Sequence, residues 1–362
     1  MDAFSYRTRP QRVVFGAGSL RRLAEEAEKL GMHRILVLCT PGQRAQAELA
    51  AEFLGAKCVG IFDQAVMHVP IESARQAVQT AISSNADGMV AIGGGSTIGL
   101  GKAIALESSL PVLAVPTTYA GSEMTPIYGL TESGVKRTGR DPRVLPRTVI
   151  YDPELSHELP LSVSVTSGIN AIAHAAEGLY AHDRNPVSDW MAREGIAALA
   201  KALPVIARRS SSASEAYSEA RAAALYGAWL CGAVLGSVTV GLHHKVCHTL
   251  GGAFNLPHAE VHTIILPHAL AYNARAASGA MADIATSLGA EGSFAPAAMF
   301  DFSVSLGAPA ALRELGLHED DLARAGELVL RDQYPNPRPL EADGIRRLLS
   351  DAYAGRRPKR AD

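Results

Sequence analysis

Gly88-Met89-Val90-Ala91-Ile92-Gly93-Gly94-Gly95-Ser96 is the stretch on which the fold turns. An apolar strand runs straight into three consecutive glycines, and Ser96 opens a helical stretch that carries Lys102 and reaches about Leu106. Glycines let a backbone approach a pyrophosphate, and the unpaired amides and dipole of a helix start attract its charge. A tight strand-to-helix turn needs one glycine, so three with a capping Ser point to a phosphate site. The spacing is not Gly-x-Gly-x-x-Gly, and the glycines alone leave the ligand open.

Reading outward, Arg34-Ile35-Leu36-Val37-Leu38, Cys58-Val59-Gly60-Ile61-Phe62 and Pro111-Val112-Leu113-Ala114-Val115 are further short apolar strands, with helical sequence at 43–54 and 71–83. The alternation predicts an α/β domain built on a parallel sheet with crossover helices. Pro116-Thr117-Thr118-Tyr119-Ala120-Gly121-Ser122-Glu123 leaves its strand at the sheet end where open α/β folds bind ligands. The hydroxyls of Thr117, Thr118 and Ser122 are therefore candidates for cofactor ribose or phosphate. After the strand-like Thr148-Val149-Ile150-Tyr151, Asp152-Pro153 punctuates the chain, and the remainder is Ala-, Leu- and Glu-rich helical sequence. Two domains are expected, α/β over 1–155 and all-helical over 156–362. Ser210-Ser211-Ser212 reads as a loop between helices, and the basic run Gly355 to Arg360 as a solvated end.

Composition sets the outer bounds. With 362 residues, 48% hydrophobic and 19% charged, the chain can bury a substantial core. A formal charge of −2 gives no global field for nucleic acid or an anionic membrane, so the expected partner is a small molecule. The opening residues lack the basic start and apolar run of a secretory signal, and no run approaches about 20 apolar residues, so the expected compartment is the cytoplasm. Cys39, Cys58, Cys231 and Cys247 have no paired spacing, which argues for reduced thiols rather than disulfides or a four-thiolate zinc site. Cys247 lies in a histidine-rich stretch, but helix packing is its more ordinary role.

Asn170 and His174 are four apart in a helical stretch and share a face. In Gly241-Leu242-His243-His244-Lys245-Val246-Cys247-His248, His244 and His248 are again one turn apart, and His258 follows Asn255-Leu256-Pro257. A lone histidine is more often a satisfied core residue. Four of the 12, at these spacings, suggest one convergent site.

At Phe15-Gly16-Ala17-Gly18, the Gly93–Ser96 loop with Lys102, Pro116-Thr117-Thr118 and the His244–His258 segment, the chain resembles the iron-containing alcohol dehydrogenase family over nearly its whole length. The resemblance implies a dinucleotide-binding α/β domain, an all-helical domain, and a cleft between them holding Fe or Zn on one Asp and three His. Carried over, the ligands fall on His174, His244 and His258, with His248 as an additional active-site histidine, while the Asp falls on Asn170. A neutral amide oxygen is a much poorer donor than a carboxylate, so the site is expected to be vestigial and no metal required. The family's NAD-selecting Asp corresponds to Thr40. NADPH is then expected to be tolerated beside NADH, bound along Gly93, Gly94, Gly95, Ser96, Thr117, Thr118 and Ser122, with Lys136 near the cofactor.

The Asp-to-Asn departure, with Tyr119–Pro126 and Tyr334-Pro335-Asn336-Pro337-Arg338, resembles a branch of this family regarded as metal-independent. That branch reduces the carbon–carbon double bond of an unsaturated keto diacid during degradation of aromatic compounds. A dicarboxylate substrate calls for cations, and Lys245 together with Lys136, Arg137, Arg140, Arg143 and Arg147, in the loop before the domain junction, are candidates. The family pattern also implies a homodimer. The rival readings are a metal-dependent alcohol or polyol dehydrogenase of the same family, a sugar-phosphate cyclase related to dehydroquinate synthase, and a non-catalytic nicotinamide-binding sensor. Stoichiometric metal whose chelation abolishes turnover would favour the first. The second would need firmly held zinc and many basic residues for a substrate phosphate, and steady substrate-dependent NADH oxidation would eliminate the third.

Overall fold

The computed structural model describes residues 3–360 apart from 68, 133–134, 209–213 and 332–333. The predicted 210–212 loop therefore lies outside the described residues, as does the side chain of Lys136. The chain divides into two compact units, one comprising Arg7–Leu159 with Ser212–Leu225, the other Met1–Tyr6, Pro160–Ser211 and Tyr226–Asp362. Return of 212–225 to the first unit has no counterpart in the sequence pattern, which reads as helical on both sides of the Ser210–Ser212 loop.

In the first unit the elements are β1 (Arg12–Phe15), α1 (Leu23–Lys29), β2 (Ile35–Leu38), α2 (Arg44–Leu54), β3 (Cys58–Phe62), α3 (Ile71–Ser83), β4 (Gly88–Gly93), α4 (Gly95–Ser108), β5 (Val112–Pro116), β6 (Ile127–Glu132), β7 (Val135–Arg140) and β8 (Thr148–Tyr151). Six strands form one parallel sheet in the order β1-β8-β5-β4-β2-β3. Strands β2, β4, β5 and β8 are buried along their whole length, as parallel strands covered on both faces must be. One face packs Val37, Val90, Ile92, Leu113 and Ile150 against Leu23 and Ala27 of α1 and Ala47, Ala50 and Leu54 of α2. Residues read as a basic loop, 136–147, begin instead inside β7, which pairs antiparallel with β6. Thr131 of that hairpin donates to Val69 O, which ties it to the start of α3.

The Phe15–Gly18 motif also finds its reason in the backbone. Gly18 sits at φ +69°, the left-handed region, where its amide and that of Leu20 reach the two carboxylate oxygens of buried Asp152 at 3.1 and 2.9 Å. The turn after β1 is thereby fixed to the end of β8.

The second unit is helical: α5 (Leu161–Gly178), α6 (Pro186–Arg208), the later turns of α7 (Glu215–Ser237), α8 (Leu242–Phe254), α9 (His258–Asn273), α10 (Ser278–Ser287), α11 (Ala295–Ser305), α12 (Asp321–Leu330) and α13 (Ala342–Ala354). Among the described residues no single helix is long and apolar enough to cross a membrane. Helix α5 is buried from Ser164 to Gly178, and α8, α9, α12 and α13 share a core of Leu242, Val246, Leu250, Ile265, Val329, Ile345 and Leu349.

His268 of α9 is a core histidine apart from the site. Burial pulls its pKa down to about 4, with Asp351 opposing, and its Nε2 has no hydrogen-bond partner. An unfolded chain takes up this proton near the ordinary value of about 6.5. Stability carried by the neutral ring is therefore fully present above that value and falls as pH drops toward 4. Denaturant titrations at several pH values should show a shallower acid slope for His268→Gln, and an unchanged slope would contradict this account.

Candidate active site

At the sheet's C-terminal edge, β4 delivers Gly93 at φ +152°, and Gly94 precedes α4 with no side chain capping the helix. A Cβ on Gly93 would lie 2.5 Å from both Gln43 Oε1 and Thr97 Oγ1, and one on Gly94 would lie 3.0 Å from Thr118 Cγ2. The Thr97 hydroxyl is buried without a partner, a polar atom turned to the same turn. Thr117 N donates to Gly93 O at 3.0 Å, while Gln43 Nε2 donates to Thr117 Oγ1 at 2.7 Å. Thr40 Oγ1 in turn donates to Gln43 Oε1 at 3.0 Å. Thr40, the glycines, Thr117 and Thr118 thus belong to one assembly, joined through Gln43, which the sequence reading missed. A bare glycine turn, an uncapped helix start and an orphaned hydroxyl fit a pyrophosphate.

Ser122 enters through its backbone. Fully buried Lys102 donates from Nζ to Ser122 O (2.6 Å), Thr125 Oγ1 (2.9 Å) and Ile127 O (2.7 Å), binding the loop after β5 to α4. Burial draws this ammonium down to about 7, with Glu123 pulling the other way, yet three acceptors meet its three protons. Lys102→Met should leave the two buried carbonyls bare and destabilise folding by about 3 kcal/mol; chemical denaturation of the purified variant would check it. Arg221 (1% exposed) holds the same loop from the other side, donating to Tyr119 Oη at 3.1 Å and Leu159 O at 3.1 Å.

Lys136 lies on β7, paired with Thr131. Of the arginines proposed for a dicarboxylate, Arg143 is engaged by Asp141 (2.7 Å) and Arg137 lies 3.6 Å from Glu132. Those charges are largely met locally.

In the helical unit, α5 turns Asn170, His174 and Glu177 to one side at spacings of four and three, all 3% exposed or less. Helix α8 brings His243, His244, Cys247 and His248, and α9 brings His258 and His262. His174 Nδ1 and His244 Nε2 are 2.8 Å apart, and His244 Nδ1 meets Glu177 Oε2 at 2.5 Å. Glu177 also accepts from the amides of Gly241, His243 and His244 at the start of α8. An ionised Glu177 is thus well solvated by protein dipoles and sets His244 as the Nδ1–H tautomer. His248 lies 6.0 Å from His244 and stacks on His258 at 6.3 Å, centroid to centroid. The four predicted histidines are together, and two more join them. The His262 ring is 4.3 Å from His258 and 5.0 Å from His244, and His243 Nε2 is 2.9 Å from His262 Nδ1. Burial, reinforced by the surrounding imidazoles, holds both His243 and His262 well below the usual histidine range, so both are neutral.

Lys245 Nζ lies over the Tyr334 ring at 5.9 Å. The 334–338 segment is pinned by paired amides, Asn273 Nδ2 to Asn336 Oδ1 at 3.0 Å and Asn336 Nδ2 to Asn273 Oδ1 at 2.8 Å. Asn170 Oδ1 and the Tyr334 hydroxyl are buried without partners.

The donor set carried over from the family does not fit its iron. Asn170 offers an amide in place of the anionic ligand, and His174 and His244 spend facing nitrogens on each other. Among the described residues, the three His, Cys or acidic groups whose ligand atoms all lie within 4.8 Å are His243, Cys247 and His262.

A parallel-sheet unit with a glycine turn for a dinucleotide, followed in the chain by a helical unit bearing a histidine cluster, defines the architecture of nicotinamide-dependent alcohol dehydrogenases of the iron-containing type. The chain belongs to that family: residues 10–153 match the model for iron-containing alcohol dehydrogenases and residues 164–353 that for the family's C-terminal region. Within it, the chain is 60% identical over 358 residues to a maleylacetate reductase from Burkholderia cepacia, covering 99% of this chain and 100% of that one. It is 54% identical over 355 residues to the maleylacetate reductase of Pseudomonas knackmussii, covering 98% and 99%. The crystal structure of maleylacetate reductase from Agrobacterium tumefaciens superposes with a TM-score of 0.92 at 50% identity, covering 99% of this chain and 100% of that one.

Proposed function

We infer that the protein is a maleylacetate reductase, an oxidoreductase that reduces the carbon–carbon double bond of maleylacetate to 3-oxoadipate. The observation that carries this is its end-to-end similarity to several enzymes of that name. NADH or NADPH would be held by Gly93–Ser96, Thr117, Thr118 and Ser122, with Lys136 added by the family pattern, and supplies the hydride. Thr40, where a carboxylate would repel a 2′-phosphate, supports acceptance of either cofactor.

The double bond is conjugated to a ketone, so hydride arriving at the distal alkene carbon yields a delocalised enolate whose oxygen needs only hydrogen-bond donors. With Glu177 ionised, the chain Glu177, His244, His174 can carry one extra proton, the carboxylate offsetting imidazolium charge. His174, at the far side of this relay, is then the acid that protonates the enolate carbon. His248 and His258 supply donors around it, and Lys245 attracts a substrate carboxylate. A metal is unnecessary for this path, in keeping with the amide at 170. Asn170→Asp should raise affinity for Fe(II) by at least about tenfold; equal affinities in equilibrium dialysis would mean the site does not assemble on the family pattern.

The proposal extends to a cytoplasmic homodimer acting on a dicarboxylate, with no nucleic-acid or membrane partner; sedimentation tests the oligomer. Its central test follows nicotinamide absorbance with maleylacetate and with small alcohols and aldehydes, each with and without chelator. Chelator-resistant turnover of the diacid is expected. Inertness toward it, with alcohol oxidation only after iron or zinc loading, would overturn the reading.

A further inference from the structure

We propose that His243, Cys247 and His262 form a second metal site, distinct from the family's ligand set, which takes a borderline-soft cation such as zinc. His243 and Cys247 are one turn apart on α8, with Sγ 3.7 Å from His243 Nε2, and His262 faces them from α9 with Nδ1 2.9 Å from the same nitrogen. Zinc bonds of about 2.0–2.1 Å to nitrogen and 2.3 Å to sulfur set neighbouring ligand atoms roughly 3–4 Å apart. The 3.7 Å separation sits at that spacing, and the 2.9 Å nitrogen pair has only to open by a few tenths of an ångström. Residue types agree as well: two imidazoles and a thiol are the donors a borderline-soft cation prefers over oxygen-seeking magnesium or calcium.

The three side chains are at most 1% exposed. Without an ion, one proton lies between His243 Nε2 and His262 Nδ1, while His243 Nδ1 and His262 Nε2 have no partner. On binding, the thiol releases one proton to solvent as the sulfur–metal bond forms. Each imidazole keeps its single proton, carried on the remote nitrogen, so the two facing nitrogens present lone pairs to the cation. The site supplies three protein ligands, leaves a fourth position open, and clamps α8 to α9.

The ordinary account of Cys247 is packing in the α8–α9 core, where it does belong. Packing alone does not explain two imidazole nitrogens meeting beside the sulfur, nor why the opposite nitrogens, His243 Nδ1 and His262 Nε2, are buried without partners.

Cobalt(II) titration of the full-length protein under reducing conditions is the test, read by thiolate-to-cobalt charge-transfer absorption with elemental analysis of stoichiometry. One equivalent should bind with that band. Cys247→Ala and His262→Gln should each lose it, whereas Cys231→Ala, altering a buried thiol elsewhere, should keep it. His174→Ala should also keep it, which separates this site from the family's. If Cys247→Ala fails to fold, His262→Gln and the wild type still decide. No band in folded wild type, or a band surviving Cys247→Ala or His262→Gln, would overturn the proposal. None of these readouts requires turnover, so the metal site and the reductase reading fail independently.

Discussion

His244→Ala is expected to lower kcat by about 10³-fold, the usual scale for losing a proton-transfer group, while leaving nicotinamide affinity within about twofold of wild type. The substitution removes the middle of the relay, since His244 touches Glu177 through Nδ1 and His174 through Nε2. The protein should still fold, because Glu177 keeps the amides of Gly241, His243 and the residue at 244. It is therefore not left as a bare buried charge. Stopped-flow single turnover separates the predicted loss in chemistry from any change in binding. A parallel Glu177→Gln variant should fall between wild type and His244→Ala, since it keeps the ring in place but removes the offsetting charge. Wild-type single-turnover rates in His244→Ala would remove the relay from the mechanism.

The parallel sheet was readable because both faces of its strands are covered. Burial on both sides leaves no polar alternation, so Ile35–Leu38 and Val112–Val115 appear as unbroken apolar runs between turn residues. The β6–β7 hairpin was not readable for the converse reason. Val135-Lys136-Arg137-Thr138-Gly139-Arg140 has its charge and glycine where an apolar stripe would stand, and composition of that kind resembles a loop. Its pairing is a tertiary decision, made by β6.

In the histidine cluster, helical spacing took the argument part of the way. It joined Asn170 to His174 and His244 to His248. The same arithmetic applied further would have reached Glu177, seven residues beyond Asn170, and His262, four beyond His258. Glu177 escaped because a glutamate in a helix is ordinarily a solvated residue, and only packing of α5 against α9 and its meeting with α8 shows it to be 1% exposed. His243 escaped because adjacent residues on a helix point about 100° apart, so pairing it with His244 looks wrong until α9 supplies His262 on its side. Gln43 carried only the Thr-x-x-Gln pattern of a helix start, with nothing local pointing to Thr117. Its role arises from Thr40 and Thr117, two strand ends far apart in sequence.

Gly93→Ala tests the other half of the reading and should fail in the opposite way. A methyl group there has to occupy space within 2.5 Å of Gln43 Oε1 and Thr97 Oγ1, at a φ of +152° that side chains rarely adopt. Backbone strain of this kind costs about 1–3 kcal/mol, and relief requires the turn or Gln43 to move. Moving Gln43 breaks its bond to Thr117 Oγ1, so the hydroxyl on the facing wall of the nucleotide turn loses its orientation as well. Since about 1.4 kcal/mol is tenfold in affinity, the dissociation constant for NADH should rise on the order of 10- to 100-fold. With cofactor saturating, kcat should stay near wild type, because the histidine cluster belongs to the other unit and contains none of the displaced groups. Fluorescence titration of NADH with steady-state kinetics at high cofactor measures both quantities. Unchanged NADH affinity in folded Gly93→Ala would remove the glycine turn from the cofactor site. A collapse of kcat at saturation would mean instead that the turn governs chemistry as well as binding.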